Sequence, residues 1–169
     1  MTFSELMNNG CSFEEFIDQD KDINREKTVE IYEGIQLDEN LKDRIKSIHK
    51  PFNVLVFAEI WCPDCMINVP ALQKIKDINP NIHFSILPRD GNEEYLSQYK
   101  VGGKVKIPTF LILNEEFKVL GAFIETPKAV KDVVDKGNQV EIIIAKRKYR
   151  KGEYVKDTIE EILQYLENS

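Results

Sequence analysis

Apolar positions in this chain follow two periods. Val54-Leu55-Val56-Phe57-Ala58 is an unbroken apolar run of strand length, the pattern of a parallel strand buried on both faces. After it, Ile67, Pro70 or Ala71, Leu72, Ile75 and Ile78 recur on one side of a helix. Residues 82–87 read as the next strand, alternating at first and fully apolar at its end. Residues 107–113 and 117–123 are two more, joined through Asn114-Glu115-Glu116, a link so short that they predict an antiparallel hairpin.

Between and around these strands the helical period returns. Asp38 is placed to cap a helix running to residue 49, with Leu41, Ile45 and Ile48 on one face and Lys50-Pro51 as its stop. Residues 93–99 predict a short helix, and Val101-Gly102-Gly103-Lys104 a flexible loop. Pro127 opens a helix that Gly137 ends. Residues 155–166 form an amphipathic pattern through Ile159, Ile162, Leu163 and Leu166. Residues 139–150 are two-sided: Ile142-Ile143-Ile144 favours a strand on propensity, whereas Val140, Ile143, Ile144 and Arg147 have helical spacing. Residues 1–35 predict short helices, two of them capped by Ser4 and Ser12, and are read as an N-terminal helical extension packed on a core made by residues 36–169. The element order is that of an α/β protein: a mixed central sheet, made of a parallel strand pair and then a hairpin, with helices on both faces.

Composition narrows the classes. The chain has 169 residues, enough for one good core and short for two domains. Its net charge of −6 argues against nonspecific nucleic-acid binding. No stretch approaches the roughly 20 apolar residues of a membrane span. Met1-Thr2-Phe3-Ser4-Glu5 shows neither the basic nor the long apolar region of a secretory signal, so the expectation is a cytoplasmic protein without membrane partners.

The three cysteines are too few for a disulfide scaffold, and two of them form a pair. Cys62 and Cys65 fall where the apolar strand hands over to the helix. With two residues between them they share a helix face, so their side chains are neighbours, a separation that suits a disulfide. The first cysteine also meets the unpaired N–H groups and the positive end of the helix dipole, which stabilise a thiolate. Pro63 suits the first turn because its missing N–H is not needed there. The chemistry implied is reversible dithiol–disulfide exchange. A structural metal site needs about four ligands, and no second Cys/His pair is present, so no metal is expected.

Trp61-Cys62-Pro63-Asp64-Cys65 resembles the active site of the thioredoxin superfamily, and Lys106-Ile107-Pro108-Thr109 resembles that family's Ile-Pro-Thr segment. The resemblance runs over residues 37–169. It implies a thioredoxin-like three-layer sandwich with C-terminal helices, and it tips residues 139–150 toward helix. It also implies a cis bond before Pro108, with Ile107 exposing backbone groups beside the dithiol to an extended substrate segment. On this reading Cys62 is the nucleophile and Cys65 the more buried resolving thiol.

The neighbours are assigned from there. Trp61 is read as a core aromatic or, as its place directly before the box favours, a lid beside the dithiol. Asp64 departs from the common Gly-Pro insert; its charge complements the helix dipole, yet disfavours a second negative charge on Cys62 and so raises that pKa relative to a neutral insert. Family members usually carry a buried aspartate in the strand ahead of the box. The matching position here is Val56 or Leu55, so that acid is missing, and Glu59 is the nearest substitute or else an exposed strand end. Gly102 and Gly103 are read as letting their loop approach, with Gly103 beside the substrate, and Gly121 as matching a family glycine near the site. Cys11 is expected to be a buried free thiol. The basic run Lys146-Arg147-Lys148-Tyr149-Arg150-Lys151 is read as a solvated helix end.

The expectation is a thiol–disulfide oxidoreductase that reduces disulfide-containing protein substrates, needs no bound cofactor and is recharged by an external reductant. Two rival readings stand beside it: a glutaredoxin-like reductase of small-thiol adducts, and a non-catalytic binding module on the same fold.

Overall fold

A computed structural model describes residues 1–169. Side chains of successive strand residues point to opposite faces, and the central strand sorts its residues accordingly. In β1 (Phe52–Phe57), Phe52, Val54 and Val56 enter a cluster of 33 buried residues, whereas Leu55 and Phe57 enter one of 7 on the other face. β1 pairs in parallel with β2 (Ile82–Leu87) and antiparallel with β3 (Thr109–Leu113), which turns back into β4 (Val119–Ile124). The sheet order is β2-β1-β3-β4.

The larger cluster lies under α2 (Phe13–Ile17), α3 (Ile23–Gly34), α4 (Glu39–Lys46), α5 (Pro63–Ile78) and α8 (Val155–Glu167). The smaller one lies under α1 (Phe3–Asn9), through Leu6, and a 3-10 helix (Glu93–Tyr99), through Leu96. Helices therefore cover both faces of a mixed sheet. Residues 139–150 are helical, as α7 (Gln139–Arg150), which packs beside α6 (Lys128–Asp135). Ala145 and Tyr149, one turn apart, are the residues α7 buries. No helix is long and apolar enough to cross a membrane.

Several boundaries differ from the sequence reading for local reasons. α4 stops at Lys46, short of residue 49, because the buried Asn79 side chain donates to the carbonyls of Ile45 and Ile48 at 2.7 and 2.8 Å. β3 begins at Thr109, after a cis Ile107–Pro108 peptide, since Pro108 has no N–H to give a ladder. β4 begins at Val119 because Phe117 takes φ 63° and Asn114 Oδ1 accepts from the Glu116 and Lys118 amides, closing the turn first.

The N-terminal segment is tied to the sheet through its backbone. Cys11 and Ile86 exchange N–H···O bonds of 2.8 and 2.9 Å, so the free edge of β2 is covered by one bridge of the preceding segment. Gly10 makes that approach possible: a Cβ there would lie 2.1 Å from Ser85 Oγ and 3.0 Å from the Ile86 carbonyl oxygen. Gly10→Ala is therefore expected to destabilise the fold by about 1–3 kcal/mol, the usual cost of overpacking, in urea unfolding. Amide exchange at Cys11 and Ile86 should quicken with it; unchanged protection there would mean that the edge contact does not hold the segment.

Candidate functional site: a dithiol at the start of α5

The strand-to-helix junction places the two cysteines as their spacing predicts. Cys62 is the N-cap of α5 and Pro63 its first residue. Cys62 keeps 7% of its surface exposed and Cys65 none. Both are free thiols, and Cys62 Sγ lies 3.8 Å from the Ile107 carbonyl oxygen, to which it donates. Ile107 and Pro108 thus stand against the dithiol.

The two thiols are driven apart in acidity. The Cys62 pKa is lowered to about 7, chiefly by hydrogen bonding from the Cys65 thiol and then by the backbone N–H groups of Cys65 and Asp64. Burial and the Asp64 charge work against this lowering but do not reverse it. Cys65 moves the other way. Burial raises its pKa well above the ordinary thiol value, and the neighbouring Cys62 adds to that. One sulfur is poised to ionise near neutral pH and the other is held protonated.

Asp64 is not a free surface charge. Its Oδ1 accepts a 2.7 Å hydrogen bond from the Tyr149 hydroxyl. Burial raises its pKa, opposed by that hydrogen bond. Tyr149 in turn accepts from Asn68 Nδ2 at 2.8 Å, and Asn68 Oδ1 accepts from Thr158 Oγ1 at 2.8 Å. Asn68 Nδ2 also reaches the Asp64 and Glu125 carbonyls, at 2.8 and 3.2 Å. Glu125, at φ 67°, donates its N–H to the Pro108 carbonyl at 2.7 Å, and its carboxylate pairs with Lys106 at 3.6 Å. A buried polar chain thus runs from α8 through α5 and α7 to Asp64, with a branch to the Ile107–Pro108 loop.

Sequence reasoning missed Asn68, Tyr149, Glu125 and Thr158. The one signal available was a polar Asn68 among the apolar positions of α5. Tyr149 is the single buried residue in a run otherwise made of cations, so the solvated reading of that run fails at its centre.

The remaining expected residues sort as follows. Trp61 is 53% exposed, with the Arg89 guanidinium 5.9 Å from its ring centroid, so it stands out toward solvent. Glu59 is half-buried and its carboxylate accepts from the Arg89 N–H at 3.1 Å; its backbone N–H, rather than its side chain, is what favours the Cys65 thiolate. Val56 and Leu55, where the family acid is missing, are fully buried. Gly102 and Gly103 have φ 58° and 74° with open space where a Cβ would sit, so they serve the tight turn between Val101 and Lys104 and not a close approach. Gly121 is a correction of another kind. A Cβ there would lie 2.2 Å from the Tyr165 ring, so this glycine seats α8 on β4 and not a substrate on the dithiol. Cys11 is half-buried and free, its pKa raised first by burial. No group of three or more His, Cys, Asp and Glu side chains is gathered to hold a metal ion.

A thioredoxin from Mycoplasmopsis pulmonis is 28% identical over 93 residues, which cover 53% of this chain and 85% of that one. Among solved structures, a Pseudomonas aeruginosa protein of unknown function superposes with a TM-score of 0.87 and 30% identity, covering 99% of this chain and 98% of the other. An HIV epitope scaffold superposes equally well, with a TM-score of 0.87, 30% identity and coverage of 100% and 99%. The likeness therefore takes in the N-terminal helices as well as the sheet. The sequence model described as thioredoxin matches residues 10–141, beginning inside the segment that carried no such motif. The match spans well over half of the sequence and both cysteines of the helix-start pair, and the chain belongs to the thioredoxin family.

Proposed function

We propose that this protein reduces disulfide bonds in other proteins through Cys62 and Cys65. The observation that carries the reading is the opposed acidity of the two thiols, with Cys62 lowered to about 7 and Cys65 raised by burial. A thiol whose pKa lies near the ambient pH combines a useful thiolate fraction with retained nucleophilicity.

The steps follow from that pair. The Cys62 thiolate attacks one sulfur of a substrate disulfide; the S–S bond breaks, and the other substrate sulfur leaves as a thiolate that takes a proton from water. Cys62 is now bonded to substrate. Cys65 gives its proton to water and attacks Cys62 Sγ; the Cys62–substrate S–S bond breaks, the second substrate sulfur leaves as a thiolate that takes up a proton, and the Cys62–Cys65 disulfide closes. Two electrons pass to the substrate, and an external reductant restores the dithiol. Before attack the Cys65 thiol donates to Cys62; once Cys62 is bonded to substrate, the thiolate that kept the Cys65 proton in place is gone. The Glu59 backbone N–H remains to favour the Cys65 thiolate. The Ile107 and Pro108 backbone beside Cys62 gives an extended substrate segment something to lie against. Trp61, exposed next to the box, borders that approach on our reading. We place the reaction in the cytoplasm, where thiols are kept reduced.

Two experiments test the scheme. In reduced native protein, iodoacetamide is expected to alkylate Cys62 well ahead of Cys65 and Cys11, with a rate rising through pH about 7. Asp64→Asn removes a negative charge that disfavours the thiolate, so the midpoint should move down, by roughly a few tenths to one pH unit. A midpoint that stays or rises would mean that the Asp64 charge does not reach Cys62. Cys65→Ser removes the resolving sulfur, so covalent complexes released by dithiothreitol should accumulate, and adding Cys62→Ser should abolish them. Reduction of small disulfides with no trapped protein would favour the small-thiol reductase, and loss of both would favour the binding module.

A further inference from the structure

Between α5 and the α6–α7 pair a cleft of about 750 Å³ opens directly beside the dithiol. Pro63 and Asp64, the residues between the two cysteines, form its inner end. Ile67, Val130 and Val134 give it an apolar lining. Its α7 wall carries Lys146 and Arg150. Ile143 stands one turn before Lys146 on the same side of α7, and is 58% exposed.

The charges lining the cleft are unequal in their freedom. Asp64 is held by Tyr149, Glu125 is paired with Lys106, and the Lys131 ammonium donates to the Ile124 carbonyl at 2.8 Å. Asp135 is the one acid there without a partner. On the α7 side Lys146 and Arg150 are exposed and make no ion pair, and Arg147, Lys148 and Lys151 continue the run. A chain of net charge −6 thus concentrates free cations and exposed apolar side chains on one helix next to its reactive sulfur.

We propose that this cleft seats a substrate segment carrying acidic side chains beside an apolar one, next to the disulfide that Cys62 attacks. The inference rests on the protein-disulfide reading above and names the class of segment that reading leaves open. Acidic groups complement Lys146 and Arg150 and desolvate little at an exposed rim. The apolar side chain covers Val134, which is 39% exposed in the cleft, and Ile143 extends the apolar surface along α7 beyond its lining. A concave site suits a chain segment and not a flat bilayer, and the net negative charge of the protein opposes approach to an anionic membrane.

The test uses the full chain, with dithiothreitol as reductant and synthetic peptides each closed by one disulfide. One peptide carries Glu-Leu next to its second cysteine, one Lys-Leu and one Glu-Ser. At low salt, kcat/KM for Glu-Leu is expected to exceed that for Lys-Leu about fivefold, the size that exchanging a like-charge contact for one exposed ion pair supports. The difference should lie in KM, shrink with added salt, and fall when Ser replaces Leu. Lys146→Glu should reverse the Glu-Leu to Lys-Leu ratio, and Lys146→Arg should keep it. Because each comparison is a ratio within one protein, a change in Cys62 reactivity cancels. Equal kcat/KM for the two charged peptides, or a ratio that Lys146→Glu leaves alone, would overturn the proposal while the reductase reading stands. So would Lys146-dependent binding to phosphatidylserine vesicles without peptide preference, which would make the surface a membrane-facing one. If none of the peptides is reduced, the reductase reading falls and this inference with it.

Discussion

One buried amide holds the site together. Asn68 has two N–H hydrogens, shared among three oxygens: the Asp64 carbonyl one turn back, the Glu125 carbonyl and the Tyr149 hydroxyl. Its own oxygen takes the Thr158 hydroxyl. Asn68 is fully buried, and no buried side-chain polar atom in the chain lacks a partner. Leaving any of these groups unpaired costs about 1–3 kcal/mol, so α7, α8 and the segment after β4 must all arrive where this one side chain requires them. Pro70 lies in the next turn of α5 and takes one N–H out of the helix ladder. The first turns of α5 are therefore steadied by side-chain bonds to neighbouring elements as well as by their own backbone.

The acidity of Cys62 shows which of several opposing effects wins. A desolvated sulfur next to a carboxylate would ionise poorly. Here short-range hydrogen bonds outweigh both influences, because donors in direct contact act through no intervening medium while the carboxylate charge is spent partly on Tyr149. Tyr149 pays the reciprocal effect: burial and the Asp64 charge push its hydroxyl far above the ordinary phenol value, so it stays a donor at any pH the protein meets. Asp64 therefore tempers the nucleophile without cancelling it. A Cys62 thiol at about 7 is less acidic than the cysteine of a strong oxidant, which supports the reductase proposed above.

How much of this was legible in the sequence depended on how local each cause is. The dithiol was readable because strand, cap and helix succeed one another within a dozen residues and the two-residue spacing is a property of the helix alone. The strands were readable because burial on both faces leaves unbroken apolar runs, as in Val54 to Phe57. Tyr149 was not, because its partners lie 85 and 81 positions away and its neighbours in the chain are solvated cations. Glycines showed the same limit. Nothing around Gly10 or Gly121 in the sequence states that the Ser85 hydroxyl or the Tyr165 ring will come within contact distance. The ambiguous segment 139–150 was settled by the same tertiary need: an alternating strand would put Ile143, Ala145, Arg147 and Tyr149 on one face, whereas α7 buries Ala145 and Tyr149 and exposes Ile143 and Arg147.

α7 has two faces with opposite chemistry, and both bear on Cys62. Its inner face delivers the Tyr149 hydroxyl to Asp64 and so helps set how far the carboxylate charge is felt. Its outer side puts Lys146 and Arg150 along the cleft that ends at Pro63 and Asp64. Arg150 acts on Asp64 electrostatically, favouring its ionised form, while Glu125 acts in the other direction. The carboxylate between the two cysteines therefore sits where the acidity of the nucleophile and the charge of the cleft meet. An acidic group brought beside Arg150 would offset the positive charge that favours the ionised carboxylate, and its own negative charge would add to the opposition that Asp64 presents to the Cys62 thiolate.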